Sequence, residues 1–116
     1  MYMGRNISKK EVEFKIRLHP ELIPVRGNAI FSGDEAYDEF VEDQILDKLV
    51  SGNQWAWCTV EVEASYNGNI VSEYLGACSY ESERDFRACD TYAEMCDRAF
   101  EKLSAKVNTP SFTIIY

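Results

Sequence analysis

Strict alternation of apolar and charged residues marks the first regular segment of the chain, the stretch EVEFKIRL at positions 11–18. Successive side chains of a strand point to opposite faces of a sheet, so this pattern predicts a half-buried strand that ends at His19 and Pro20. The following stretch, PELIPVRGNAIFSG, contains two prolines and two glycines and predicts a long connection. Residues 1–10 are expected to form a flexible N-terminus. The inward residues of the strand are Val12, Phe14, Ile16 and Leu18.

Apolar residues at helical spacing predict a first helix over residues 33–50. Ser32 and Glu35 fit a capping box at its start, acidic residues fill its first turn, and the sequence SGN ends it. The stripe that this helix is expected to bury contains Tyr37, Phe40, Val41, Ile45 and Leu49.

A second helix is predicted to begin at Asp90 or Thr91, since Thr91 and Glu94 again fit a capping box. Before it, ESERDFRACD at 81–90 predicts a polar connection, and after it SFTIIY at 111–116 predicts a short closing strand. The buried stripe of this helix is expected to contain Tyr92, Met95, Cys96, Ala99, Leu103 and Val107.

Asn67 and Gly68 stand between two alternating runs, WAWCTVEVEASY and NIVSEYLGACSY. Asn-Gly predicts a hairpin, because both central residues of a type I′ turn need positive φ. A two-residue turn places Tyr66 opposite Asn69 and fixes the register. The expected core face then pairs Ala64 with Val71, Val62 with Glu73, Val60 with Leu75 and Cys58 with Ala77. The opposite face pairs Glu61 with Tyr74, Trp57 with Cys78 and Trp55 with Tyr80.

These elements predict an α+β fold in the order β-α-β-β-α(-β), which with the closing strand is the ferredoxin-like order. We expect an antiparallel sheet with two helices on one face. A length of 116 residues with 46% apolar composition fits a single domain over residues 11–116. Proteins with this order of elements have many different functions, so the order alone does not predict a function.

The amino-acid composition limits the classes of macromolecule that this protein is expected to bind. Twenty acidic residues against twelve Lys and Arg give a formal net charge of −8, which repels phosphate, so direct nucleic-acid binding is not expected. The N-terminus MYMGRNISKKEVEF lacks the apolar region of a secretory signal, and the chain has no apolar run of membrane-spanning length. We therefore expect a cytoplasmic protein without a membrane segment.

The reactive residue types do not form a recognisable catalytic or metal-binding motif. A single histidine and four cysteines without a C-x-x-C pair make a zinc site improbable, and reduced thiols are the default in the cytosol. Cys58 and Cys96 lie on core stripes, whereas Cys78 and Cys89 have no assigned role. No Cys–His signature or phosphate-binding glycine loop is present. We therefore expect no catalytic residue, metal or cofactor, and no enzymatic activity.

Seven carboxylates are concentrated on the first predicted helix. They form two rows that step by four residues, and neighbours in a row lie about 6 Å apart, close to the phosphate spacing of a nucleic-acid strand. The pattern favours an anionic surface that engages a basic groove, and the alternative is a solubilising helix face. The rows are Asp34, Asp38 and Glu42, and Glu35, Glu39, Asp43 and Asp47.

Four aromatic residues are predicted on the sheet face opposite the core. If helices cover only one side of the sheet, such residues anchor a partner or a second copy of the chain. If another part of the chain covers them, they are structural. The charges around them are mostly acidic, which argues against an RNA-reading sheet. The four residues are Trp55, Trp57, Tyr74 and Tyr80.

Three stretches, ELIPVRGNAIFSGDEAYDEFVEDQILDKL, WAWCTVEVEA and YLGACSYESERDF, resemble small acidic proteins of unknown function from bacteriophage and other mobile-element genomes. The similarity covers residues 10 to 105. It implies a phage-borne accessory protein, from a group in which inhibitors of host defence, including anti-CRISPR proteins, are common. It assigns no site residues.

The leading hypothesis is a non-enzymatic protein that binds a host protein or ribonucleoprotein complex with a basic surface in the bacterial cytoplasm. The acidic helix would contact Lys and Arg side chains that otherwise hold nucleic acid in a defence system, and Trp55 and Trp57 would add apolar anchoring. The alternative is a structural or regulatory homodimer that pairs through the aromatic sheet face, with the acids serving solubility. A third hypothesis is an unrecognised small enzyme that uses His19.

Overall fold

The computed structural model describes residues 6–108, which fold as an α+β unit, so the predicted fold class is confirmed. The strands are β1 (Glu13–Pro20), β2 (Cys58–Tyr66) and β3 (Asn69–Cys78), and the helices are α1 (Glu35–Val50), α2 (Glu83–Arg87) and α3 (Asp90–Asn108). Short 3-10 turns at Lys9–Glu11 and Gln54–Ala56 precede β1 and β2. The predicted closing strand at 111–116 lies outside the described residues.

The hairpin between β2 and β3 forms as predicted. Asn67 and Gly68 have φ values of 47° and 80°, as a type I′ turn requires, and Tyr66 lies opposite Asn69. The predicted register holds from this pair to the pair of Val60 and Leu75. The turn chemistry therefore sets the pairing of most of both strands.

The register fails beyond this point because β3 contains a bulge. Cys58 pairs with Cys78 rather than with Ala77, which adopts a left-handed φ of 54°. The predicted pair of Trp57 and Cys78 is therefore wrong. The backbone N–H of Ala77 instead donates to the carboxylate of Glu21 at 3.0 Å, so the bulge also ties the start of the long connection to the sheet.

The sheet does not have the ferredoxin-like arrangement. In that fold the first helix connects two parallel strands that are separated by another strand. Here β1 and β2 are antiparallel neighbours, with Glu13 opposite Ser65 and Pro20 opposite Cys58. The connection from residue 21 to residue 57 therefore starts and ends at the same end of the sheet.

The main core lies between the sheet and α3, and the apolar stripe predicted for this helix faces β2 and β3 as expected. The salt bridge of Glu73 with Lys102 of α3, at 3.0 Å, accommodates the acidic residue on the core side of β3. The fully buried residues of this layer include Val60, Val62, Ala64, Met95, Ala99 and Leu103.

The segment before β1 is part of this core. Ile7 is buried in the cluster that contains Ala64 and Leu103, and Lys9 forms a salt bridge with Asp97 of α3. The described part of the predicted flexible N-terminus, residues 6–10, thus contributes one residue to the main core, and its first five positions lie outside the described residues.

The position of α1 differs from the prediction. This helix packs mainly against the 3-10 turn at Gln54–Ala56 and the connection after β1, so the two long helices do not share one sheet face. Tyr37 and Phe40, expected in its buried stripe, are 51% and 57% exposed. The small core under α1 consists of Val25, Ile45, Ala56 and Trp57, with Ala29, Val41, Leu46 and Leu49 at its edge.

The predicted polar connection at 81–90 contains the short helix α2. The hydroxyl of Ser82 caps this helix by accepting a hydrogen bond from the backbone N–H of Asp85 at 3.2 Å. Phe86 on this helix is fully buried, and the rings of Trp55, Tyr80 and Tyr92 surround it. Phe86 and the half-buried Cys89 thus join this segment to the main core.

Candidate functional site

The first row of predicted carboxylates serves the fold. The side chain of Asp34 accepts hydrogen bonds from two backbone N–H groups of the first turn of α1, at 3.1 and 3.2 Å. Asp38 accepts hydrogen bonds from the backbone N–H and the hydroxyl of Ser32. Asp34 is therefore the N-cap of α1, in place of the capping box predicted for Ser32 and Glu35.

The third carboxylate of this row, Glu42, is buried and neutralised. It accepts hydrogen bonds from the backbone N–H of Gly27 at 2.8 Å and from the guanidinium of Arg26 at 3.2 Å. Arg26 also forms a salt bridge with Asp43. The spacing of acidic residues on α1 could not predict these contacts, because the cation that pairs with Glu42 and Asp43 is Arg26, which lies in the connection between β1 and α1. Four of the seven predicted carboxylates thus already have partners within the protein.

The capping role of Asp34 leads to a stability prediction. Asp34→Ala should lower the free energy of unfolding by about 1 kcal/mol, because two backbone N–H groups of α1 lose their acceptor. Glu35→Ala is the matched control, since that carboxylate has no hydrogen-bond or ion-pair partner within residues 6–108. Urea denaturation followed by circular dichroism measures both variants. Equal effects would contradict the assignment of Asp34 as the cap.

Three carboxylates and two aromatic rings remain available on the outside of α1. Glu35, Glu39 and Asp47 are exposed and have no hydrogen-bond or ion-pair partner within residues 6–108. The same helix exposes Tyr37 and Phe40, each by more than half. We refer to these five residues as the α1 outer face. It combines apolar contact area with unneutralised negative charge.

A shallow groove extends this surface toward the connection before α1. Phe31, which is 80% exposed, lines the groove on the side of the connection. Carboxylates of α1 line the opposite side, and Arg26, which pairs with Glu42, also lines the groove. The lining residues are Arg26, Gly27, Ile30, Phe31, Glu35, Asp38, Glu39 and Glu42.

The predicted aromatic sheet face is not formed. Trp55 and Tyr80 pack with Phe86 in the main core, and Trp57 is buried under α1, where its indole N–H donates to the carbonyl of Ile23 at 2.7 Å. The reason is that β2 begins at Cys58, so both tryptophans precede the strand. Of the four predicted aromatic residues, only Tyr74 is strongly exposed.

The open face of the sheet instead carries a polar cluster centred on Glu61, which is 6% exposed. One oxygen of its carboxylate lies 2.7 Å from Nε2 of His19, and the other accepts a hydrogen bond from the hydroxyl of Ser72 at 2.6 Å. The hydroxyl of Tyr74 lies 3.4 Å and the guanidinium of Arg17 lies 3.9 Å from this second oxygen. The hydrogen bond from Ser72 lowers the pKa of Glu61 despite the opposing effect of burial.

The cluster around Glu61 is satisfied internally. Ser72 and His19 bind different oxygens of the same carboxylate, so the imidazole does not act as a base for this hydroxyl. The sequence predicts the Glu61–Tyr74 pair, but the contribution of His19 depends on the register of β1 against β2, which local patterns do not reveal. The geometry therefore indicates a structural network.

The four cysteines are free thiols. Cys58 and Cys78 are buried opposite each other, and burial raises the pKa of the Cys58 thiol to about 12. Cys89 and Cys96 are half-buried, and the thiol of Cys89 donates to the carbonyl of Phe86 at 2.9 Å. Cys58 and Cys78 thus lack the low pKa of a reactive cysteine. Within residues 6–108, no group of three or more Cys, His, Asp or Glu side chains is arranged to hold a metal ion.

Comparisons with protein-family models, with curated proteins and with solved structures find no match for this chain. In the part of the chain that the structure describes, no helix is both long enough and apolar enough to cross a membrane. The candidate functional site is therefore the α1 outer face.

Proposed function

We propose that this protein is a non-enzymatic binding protein that uses the α1 outer face to contact a basic surface of a host macromolecule. The observation that carries this proposal is the exposure of Tyr37 and Phe40 on the same helix as three exposed carboxylates that have no partner within residues 6–108. Because α1 packs mainly against a short turn and a connection, the outer side of this helix is exposed to solvent.

The two chemical components of this surface have different roles in binding. Exposed aromatic side chains supply large contact area at low conformational cost, and they are frequent anchors of protein interfaces. Unpaired carboxylates attract a cationic partner over distances near the Debye length and accelerate encounter. Association is therefore expected to weaken with salt but to retain an apolar component.

We further propose that the partner is a host defence complex that holds nucleic acid through Lys and Arg, and that docking in the bacterial cytoplasm blocks those cations. The structure reduces the predicted anionic surface from seven to three free carboxylates, since Arg26 and the backbone occupy the others. This smaller number of free carboxylates favours a compact contact anchored by aromatic rings, rather than an extended mimic of a phosphate strand.

The alternative of a homodimer that pairs through an aromatic sheet face loses its structural basis. Trp55, Trp57 and Tyr80 lie in the two cores, so the open face does not offer the expected apolar area.

A charge-reversal experiment tests the proposed contact. The immobilised full chain is used to capture proteins from a bacterial host lysate at low and high salt, and each captured protein is quantified by mass spectrometry. In Glu39→Lys with Asp47→Lys, capture of the specific partner should fall by about tenfold or more at low salt, because charge complementarity becomes repulsion.

The matched control reverses Glu94 and Glu101, two exposed carboxylates on α3, which gives the same change in net charge on another helix. This control should retain the partner. A second variant, Tyr37→Ala with Phe40→Ala, should lose the partner at both salt concentrations. Equal loss from the two charge variants would show that only net charge matters and would refute the α1 outer face as the contact.

A further inference from the structure

A cavity of about 380 Å³ lies where the main core meets the small core under α1. Cys58 belongs to the first core and Trp57 to the second, and both line this cavity. Its volume falls within the range of small-molecule sites in proteins, about 300–1,000 Å³. The other lining residues come from β1, the connection, α1 and the 3-10 turn, and they are Leu18, His19, Pro20, Glu21, Leu49 and Gln54.

Most of the cavity wall is apolar. Leu18 packs against the main core and Leu49 against the small core, so aliphatic side chains stand on both sides. The indole N–H of Trp57 is already used, since it donates to the carbonyl of Ile23. Trp57 therefore contributes apolar and π-electron surface to a ligand, and tryptophan is the aromatic residue that attracts an organic cation most strongly.

Glu21 brings a negative charge to this wall. Its carboxylate accepts hydrogen bonds from the hydroxyl of Thr59 and from the backbone N–H groups of Ala77 at 3.0 Å and Ile23 at 3.1 Å. These hydrogen bonds, with that from Thr59 the most effective, lower the pKa of Glu21 and keep it ionised at neutral pH. All three donors are neutral, and Glu21 has no ion-pair partner within residues 6–108.

The two other polar side chains of the wall leave this charge uncompensated. Nε2 of His19 lies 2.7 Å from the carboxylate of Glu61, so a positive charge on this ring is paired there and not with Glu21. Gln54 is exposed, and its side chain has no hydrogen-bond partner among the residues described. The cavity thus combines an uncompensated carboxylate, a free amide acceptor and apolar walls.

We propose that this cavity binds a small organic cation, an ammonium group carried on an apolar body. The ammonium lies beside Glu21 and Gln54, and the apolar body lies against Trp57 and the two leucines. An anion is repelled by Glu21, and a neutral molecule of the same shape leaves this charge uncompensated. None of the five residues of the α1 outer face lines the cavity, so the proposal does not depend on the proposed function.

NMR titration of the isotope-labelled full chain tests the proposal, with phenethylamine as the probe. This amine is protonated at neutral pH, and 2-phenylethanol is its neutral analogue of the same size. The indole N–H signal of Trp57 should shift with a dissociation constant below about 1 mM for phenethylamine, and about tenfold higher for 2-phenylethanol. The indole signal of Trp55, which packs on the main core and does not line the cavity, should stay in place.

A charge placed on the cavity wall tests the selectivity. Gln54→Lys adds a cation at an exposed position and should weaken phenethylamine binding by about tenfold, with 2-phenylethanol binding unchanged. The matched control is Gln44→Lys, the same substitution at an exposed position of α1 that does not line the cavity, which should keep the wild-type constants. Glu21→Gln removes the carboxylate charge, and the two probes should then bind equally.

Three results would overturn the proposal. The first is the absence of a Trp57 shift up to about 10 mM phenethylamine, a concentration at which even weak binding is detected. The second is an equal dissociation constant for the two probes in the wild-type chain, which would mean that the cavity does not select a cation. The third is equal weakening by Gln54→Lys and Gln44→Lys, which would mean that net charge alone attracts the amine.

Discussion

Replacement of Phe86 by alanine is expected to lower the free energy of unfolding by about 3–5 kcal/mol, the range for removal of a buried aromatic ring. Phe86 is fully buried, and its ring centroid lies 5.5 Å from that of Trp55, 5.0 Å from that of Tyr80 and 5.3 Å from that of Tyr92. A five-residue helix has little stability of its own, so this ring is the main attachment of α2.

The matched control for this variant is Phe31→Ala, because Phe31 is exposed and makes no core contact. Its effect on the free energy of unfolding should stay within about 0.5 kcal/mol. Urea denaturation followed by tryptophan fluorescence measures both, and Trp55 reports directly on the cavity that the variant creates. A loss below about 1 kcal/mol for Phe86→Ala would contradict the role of this ring in the core.

The parts of the fold that the sequence predicts well depend on local chemistry. Asn67 and Gly68 specify a two-residue turn, and this turn sets the register of the hairpin as far as Val60 and Leu75. The alternation over β1 and the stripe on α3 likewise identify which faces enter the core. Each of these predictions needs only a few neighbouring residues.

The position of α1 could not be predicted in the same way. Periodicity identifies an apolar stripe but not the surface that covers it, and the surface here is a 3-10 turn and a connection. This support is too small to bury the whole stripe, so Tyr37 and Phe40 stay exposed. Glu42 is buried in their place, because Arg26 and the Gly27 N–H satisfy its carboxylate.

The candidate site could be predicted only in part for the same reason. The concentration of acids on one helix is visible in the sequence, but their availability depends on contacts from outside the helix. Arg26 neutralises two carboxylates of the predicted rows, and Asp34 is taken by the cap. The predicted aromatic face is not formed because β2 begins at Cys58 and β3 ends at Cys78, so Trp55, Trp57 and Tyr80 lie outside the strands.

The polar cluster on the open sheet face provides a second large stability effect. Glu61→Gln should lower the free energy of unfolding at neutral pH by about 1–3 kcal/mol, the usual range for disturbing a buried polar group. The carboxylate accepts hydrogen bonds from Ser72 and His19 on different oxygens. The amide has one acceptor oxygen and two donor hydrogens, so it cannot accept both hydrogen bonds with its two terminal atoms.

The pH dependence of this effect follows from the pKa of Glu61, which the Ser72 hydrogen bond lowers from its ordinary value of 4.5 in the folded protein. A carboxyl group with a lowered folded pKa contributes its full stability above the unfolded pKa. It loses that contribution as the pH falls through the folded pKa. The difference in unfolding free energy between wild type and Glu61→Gln should therefore be largest near neutral pH and shrink below pH 4.5.

Urea denaturation of both proteins at a series of pH values measures this difference. Arg17 and His19 on β1 and Tyr74 on β3 also face Glu61, and they are present in both proteins. Glu94→Gln, at an exposed site on α3, is the matched control and should show no such trend. A difference for Glu61→Gln that stays constant from neutral to strongly acidic pH would mean that the negative charge of Glu61 does not stabilise the sheet.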